Sequence, residues 1–135
     1  MALIPFDDRD GLIWLNGEMV EWRDAKTHTL SHGLHYASLV FEGERAYGGT
    51  IFAGADHTDR LRASSQMLDF DIPYSNEEVD AAKMAVLAAN NISDGYLRAF
   101  CWRGSEMMAI SAQQTKTHVA IAGWEWPSHL HPETK

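Results

Sequence analysis

The order of elements along this sequence predicts an α+β domain: an antiparallel β-sheet with two helices packed on one side. Asn16-Gly17 lies between two strand-like runs, Leu12-Ile13-Trp14-Leu15 and Glu18-Met19-Val20. Asn-Gly is the strongest short-range hairpin signal, because both residues tolerate positive φ. Ser75 is followed three residues later by Glu78, the capping-box pattern that opens a helix. The chain thus runs hairpin, strand pair, two helices, two strands, an order that favours an antiparallel sheet with its helices to one side.

Residues 1–11 form an irregular lead-in, with Pro5 and an acidic patch at Asp7, Asp8 and Asp10. After the hairpin, the stretch His32 to Tyr47 mixes an apolar run, Leu39-Val40-Phe41, with His32, His35, Tyr36, Glu42, Glu44 and Arg45. Gly33 and Gly43 stand where the backbone needs freedom or a close approach. A polar loop feeding a strand suits a binding site held on a rigid scaffold, and it equally suits an ordinary loop and half-buried strand. Gly48-Gly49 then turns the chain into a short strand, Thr50-Ile51-Phe52.

Ala55 to Leu68 reads as a helix capped by Asp56, with Leu61 and Leu68 seven apart on one face and His57 and Arg60 three apart on another. Asp71-Ile72-Pro73 breaks it. The second helix, opened by Ser75, has a buried stripe of Val79, Ala82, Val86 and Ala89, and Asn90-Asn91 with Asp94-Gly95 ends it. Tyr96 to Trp102 alternates as a strand, and Thr117 to Gly123 supplies the last one. The expected domain therefore covers residues 12–124. Residues 125–135, rich in proline and without periodicity, read as the start of a linker, and Trp124 and Trp126 have no evident partner strand.

The length of 135 residues suits one domain. A net charge of -8 argues against nucleic-acid binding and against a polybasic membrane patch. No apolar run approaches the roughly 18 residues needed to span a bilayer. The single cysteine, Cys101, forms no internal disulfide and suits a reducing compartment; with an acidic N-terminus unlike a signal peptide, it points to the cytoplasm.

The seven histidines suggest a metal, but His28, His32, His35 and His57 lack the paired spacing of a zinc site, and there is no HExxH. No metal site is expected, and His129 and His131 read as solvated. Cys101 lies in an apolar strand where a thiol is inert packing. No GxSxG elbow or glycine-rich phosphate loop occurs. The arginines are more informative. Tyr96 and Arg98 are two apart on a strand, so both leave the same face, and a phenol beside a guanidinium makes a carboxylate receptor. The alternative is a rim ion pair with one of the many acidic residues.

Three blocks in order, HGLHYASLVFEGERAY, DHTDRL and GYLRAFCWRGSEMMAIS, resemble the small N-terminal domain of branched-chain amino-acid aminotransferases. These are fold-type IV pyridoxal-phosphate enzymes, together with D-amino-acid aminotransferases and aminodeoxychorismate lyases. The likeness runs from about Ile13 to Trp126, and the YxRxxxWRGSEMM block favours the branched-chain subgroup. The resemblance implies that Arg60 holds the phosphate of pyridoxal 5'-phosphate. It implies that Tyr96 helps bind the substrate α-carboxylate and that Arg98 receives the distal carboxylate of glutamate. Tyr36, Phe41 and Gly43 would line the side-chain pocket, Tyr36 reaching it from a neighbouring subunit. The implied substrates are L-branched-chain amino acids, glutamate and 2-oxo acids.

In that family the Schiff-base lysine lies in a second, larger domain. Lys26, Lys83, Lys116 and Lys135 have surroundings unlike it. The expectation is a domain fragment without a catalytic residue, inactive alone, not retaining the cofactor, and prone to form homo-oligomers through the apolar surface its partner domain would cover. The rival expectations are a D-amino-acid aminotransferase or lyase-like domain of the same fold, and a non-catalytic oligomerising α+β module.

Overall fold

The computed structural model describes residues 4–126. Its strands are β1 (Leu12–Leu15), β2 (Glu18–Glu21), β3 (Leu39–Tyr47), β4 (Thr50–Ile51), β5 (Gly95–Arg103) and β6 (Thr117–Glu125). They form one six-stranded sheet in the order β2-β1-β6-β5-β3-β4, and every paired neighbour is antiparallel. A short helix α1 (His32–Tyr36) precedes β3, and two long helices, α2 (Gly54–Met67) and α3 (Asn76–Ala89), cover one face. This is the α+β architecture the sequence predicts.

The β1–β2 turn puts Asn16 at φ 50° and Gly17 at φ 95°, as an Asn-Gly hairpin requires. Asn16 does more: its Oδ1 accepts from Val119 N at 2.9 Å, fastening the turn to β6. Ser75 and Glu78 form the full capping box at α3. The buried helical stripe joins Val79, Ala82, Val86 and Leu87 to Leu61 of α2, against Leu97, Ala99 and Cys101 of β5 and Val119 and Ile121 of β6. Burial pushes the Cys101 thiol up to about 12, so it stays protonated packing.

Several expectations shift. Helix α2 starts one residue early, from Ala53 in the left-handed region (φ 54°), and Asp56 is not its cap but sits inside the first turn. There its charge favours the positive helix end. Leu68 lies just past the helix end, leaves the 3.6-residue register and is exposed, unlike Leu61. Ala89 is exposed too, and the fully buried Lys83 joins the α3 stripe. The loop read before β3 contains α1, whose five residues are too few to show periodicity. Strand β6 runs through Glu125, two residues beyond its expected end, so Trp124 has a partner after all, Tyr96 of β5. The linker reading of residues 127–135, with His129, His131 and Lys135, lies outside the described residues, as do residues 1–3 of the lead-in.

Candidate active site

Alternation divides the side chains of β3 sharply. Val40, Glu42, Glu44 and Ala46 face the helices, while Leu39, Phe41, Gly43 and Arg45 face the opposite, uncovered side. The β3–β5 register sets Phe41 opposite Phe100, Gly43 opposite Arg98 and Arg45 opposite Tyr96. Directly opposed residues share a face, so Phe41, Gly43, Tyr96 and Arg98 form one patch on the open face.

Within the patch the contacts are specific. The Arg98 guanidinium donates from Nη2 and Nε to the Tyr96 hydroxyl oxygen, at 3.0 and 3.3 Å. The same guanidinium lies 4.4 Å over the Phe41 ring, a cation–π contact. Gly43 makes room for it all: a Cβ there would stand 2.4 Å from the Tyr96 hydroxyl. Tyr96 thus lies across a strand position that only glycine leaves clear. Because its oxygen accepts from Arg98, its own proton remains available to an anion, as do the unused guanidinium donors. A phenol and a guanidinium held side by side offer the donors a carboxylate needs.

Trp124 and Trp126 flank Tyr96, with ring centroids 4.9 and 5.4 Å away. They bound a cavity of about 690 Å3 with Phe6, Arg9, Tyr96 and Arg98. Neither tryptophan was legible as a wall residue, since their place depends on β6 pairing with β5. Towards the other end of the same face, Leu15, Leu34, Leu39, Phe100 and Trp102 line an apolar groove of about 280 Å3.

Tyr36 belongs to a different group of contacts. Its hydroxyl donates to Met108 O at 3.0 Å, and its ring lies 4.4 Å from that of His32. His32 is buried, and its Nε2 hydrogen-bonds Ala109 O at 3.0 Å. A carbonyl only accepts, so in the neutral ring Nε2 carries the proton and the Ser38 hydroxyl donates to Nδ1 at 2.7 Å. Arg103 ties down the same segment through Ala112 O (2.7 Å) and the Thr115 hydroxyl (2.9 Å). Glu106 anchors it from the other side, accepting from Lys116 N at 2.8 Å and from His118 at 3.1 Å. Burial raises the Glu106 carboxyl, but these donors outweigh it and hold it below its ordinary value. The irregular stretch after β5 is therefore fixed to α1 and β6, and it presents Tyr36 in a defined place. Among the described residues no group of three His, Cys, Asp or Glu side chains could hold a metal.

Arg60 sits apart from the Tyr96–Arg98 patch, on α2 and the helical side. Its Nε donates to both Glu42 oxygens, at 3.1 and 2.9 Å, and its Nη2 donates to Oε1 at 2.8 Å. His57, on the same helix face, donates from Nδ1 to Oε1 at 2.6 Å. The Arg60 side chain is 68% exposed while that of Glu42 is 4% exposed, so a solvent-facing cation is held by a buried anion. Burial raises the Glu42 carboxyl, but the hydrogen bonds from Arg60 and His57 overcome it and leave a net lowering. Glu42 escaped the sequence reading because nothing in its spacing separates a clamp from a solvated strand residue.

A family model described as amino-transferase class IV matches residues 39–135. Together with the sheet and its two helices, this defines the class: the chain belongs to the class IV aminotransferase family. Among individual relatives, it is 46% identical over 130 residues to the branched-chain-amino-acid aminotransferase of Pseudomonas aeruginosa, covering 93% of this chain and 42% of that protein. It is 37% identical over 126 residues to the Escherichia coli enzyme of the same name, covering 90% and 41%. The T.th. branched-chain amino acid aminotransferase solved with pyridoxamine 5'-phosphate superposes with a TM-score of 0.86 at 36% identity, over 93% of this chain and 43% of that one. The Escherichia coli structure gives 0.84 at 35% identity, over 90% and 42%. The chain thus spans about 42% of the length of such relatives.

Proposed function

We propose that these residues form one wall of the active site of a branched-chain amino-acid aminotransferase, which moves an amino group between leucine, isoleucine or valine and 2-oxoglutarate. The observation that carries the reading is the Tyr96–Arg98 receptor seated over Gly43, in a chain of the class IV family. One pocket has to accept an aliphatic side chain in one half-reaction and a second carboxylate in the other. An apolar wall with a cation at its edge does both. Phe41 supplies apolar surface, and Arg98, resting on that ring, meets the distal carboxylate of glutamate in this reading. The Tyr96 hydroxyl, polarised by Arg98, donates to the α-carboxylate. Tyr36 lines the side-chain pocket of a neighbouring copy in a homo-oligomer, its orientation fixed by Met108 O and His32.

Pyridoxal 5'-phosphate is the cofactor this reading requires, and the residues suit it. Arg60 offers an exposed guanidinium already held in one orientation, which matches a phosphate. When bound, the cofactor supplies the electron sink that makes the substrate Cα–H acidic. The chemistry also needs a lysine to carry the cofactor and move that proton. None of the side chains lining the cavity beside Tyr96 and Arg98 is a lysine, and Lys83 is buried in an ion pair with Glu44. The 135-residue chain alone is therefore proposed not to transaminate and not to retain the cofactor, and the complete protein is proposed to work in the cytoplasm.

The test is turnover with leucine and 2-oxoglutarate, run in parallel on the complete protein and on this chain. Turnover by the complete protein only is expected. Preference for D-amino acids, or turnover by the isolated chain, would overturn the corresponding part of the reading.

A further inference from the structure

Glu42 is an anomaly on the sheet. It faces the helices between Val40 and Glu44, at a position where an apolar residue would pack without desolvating a charge. Its carboxylate spends both oxygens on α2: Oε1 and Oε2 accept from Arg60, and Oε1 also accepts from His57. An exposed arginine left to itself samples many rotamers and loses that freedom on binding. Arg60 has lost that freedom in advance. Of the five guanidinium N–H donors, the clamp takes one on Nε and one on Nη2, leaving three that Glu42 does not engage.

We propose that Glu42 is a positioning residue that pre-orients the Arg60 guanidinium for the phosphate group of a phosphorylated ligand. The inference rests on the reading of Arg60 as the phosphate anchor and adds the device that aims it. It carries a built-in tension. A carboxylate beside an arginine also cancels part of its charge, which by itself weakens anion binding. Glu42 is buried and multiply bonded, so its orientation is fixed before any ligand arrives, and orientation is proposed to outweigh neutralisation. His57 is the second holder, donating from Nδ1 to the same Oε1.

The test compares affinities of the complete apoprotein for pyridoxal 5'-phosphate and for pyridoxal, which lacks the phosphate, by fluorescence titration. Arg60→Ala should weaken pyridoxal phosphate binding and leave pyridoxal binding unchanged. Glu42→Gln should weaken pyridoxal phosphate binding by up to about 10-fold, again sparing pyridoxal. In the Arg60→Ala background, Glu42→Gln should have no further effect. Glu42→Asp keeps the charge but shortens the reach, so it should weaken binding too; it decides the matter if the Gln variant does not fold. If Arg60→Ala leaves the two ligands' ratio unchanged, the phosphate-anchor reading fails and this inference with it. If Arg60→Ala shows the loss but Glu42→Gln and Glu42→Asp bind normally, or Gln binds more tightly, only the positioning role of Glu42 is overturned. Equal loss for both ligands would mark Glu42 as merely structural and overturn it as well.

Discussion

The two faces of the sheet treat charge in opposite ways. On the helix-covered face, Glu42 and Glu44 are buried and each is met by a cation from a helix. Lys83 Nζ reaches Glu44 at 2.8 Å, the Thr58 hydroxyl at 2.7 Å and Gly54 O at 3.2 Å, so β3, α2 and α3 are tied at one point. On the open face, Arg98 has a phenol and an aromatic ring for company and stays exposed, and no ion pair with an acidic residue forms at its guanidinium among the described residues. The covered face uses charge to fix elements. The open face leaves its charge exposed, where the proposed function needs it. A substitution should therefore cost stability on the first face and binding on the second.

The largest stability loss is expected from Lys83→Met, which leaves the Glu44 carboxylate buried and unpaired. About 3–5 kcal/mol should be lost in urea unfolding, and the double variant Lys83→Met/Glu44→Leu should recover most of it. The loss should depend on pH. Burial raises the Glu44 carboxyl even with Lys83 offsetting it, and removing Lys83 raises it further. A carboxyl with a raised folded-state pKa favours the fold fully below its unfolded value and loses that advantage as pH rises through the folded value. Lys83→Met should thus be less destabilised at about pH 4.5, near the ordinary carboxyl range, than at about pH 8.

Leu61→Ala, in the covered core, should come next at about 2–5 kcal/mol. Phe41→Ala on the open face should cost less than about 1 kcal/mol, because that ring is half exposed already. A Phe41 loss as large as that of Leu61 would break the contrast between the faces. The smallest stability effect is expected from Gly43→Ala. The added methyl meets the far end of a side chain, which can swing towards solvent. Unfolding should shift by only about 0.5 kcal/mol, while the Tyr96–Arg98 hydrogen bond is lost and carboxylate-substrate KM rises in the complete protein.

Much of this arrangement was legible from local rules. Asn16-Gly17 and the Ser75/Glu78 box encode their own geometry, and strand alternation alone puts Tyr96 and Arg98 on one face. The family-like blocks pointed to Arg60, Phe41 and Gly43 without any coordinates. What stayed hidden depends on register and tertiary contact. The clearance of Tyr96 over Gly43 exists only because Gly43 pairs with Arg98, one strand over. Lys83 hid in a helix stripe because a charge counts as surface in any periodicity. Asp56 looked like a cap because the true helix start, a left-handed Ala53, carries no composition signal.

The most direct measurement on the proposed site is Arg98→Ala in the complete protein, with the two half-reactions followed separately. Loss of a charge-assisted contact of about 1.5–3 kcal/mol predicts a rise of roughly 10- to 150-fold in KM for 2-oxoglutarate and glutamate. The leucine half-reaction should stay within a few-fold of the parent, since its side chain meets the apolar wall. An equal loss in both half-reactions, or none in either, would contradict the assignment of Arg98 to the distal carboxylate.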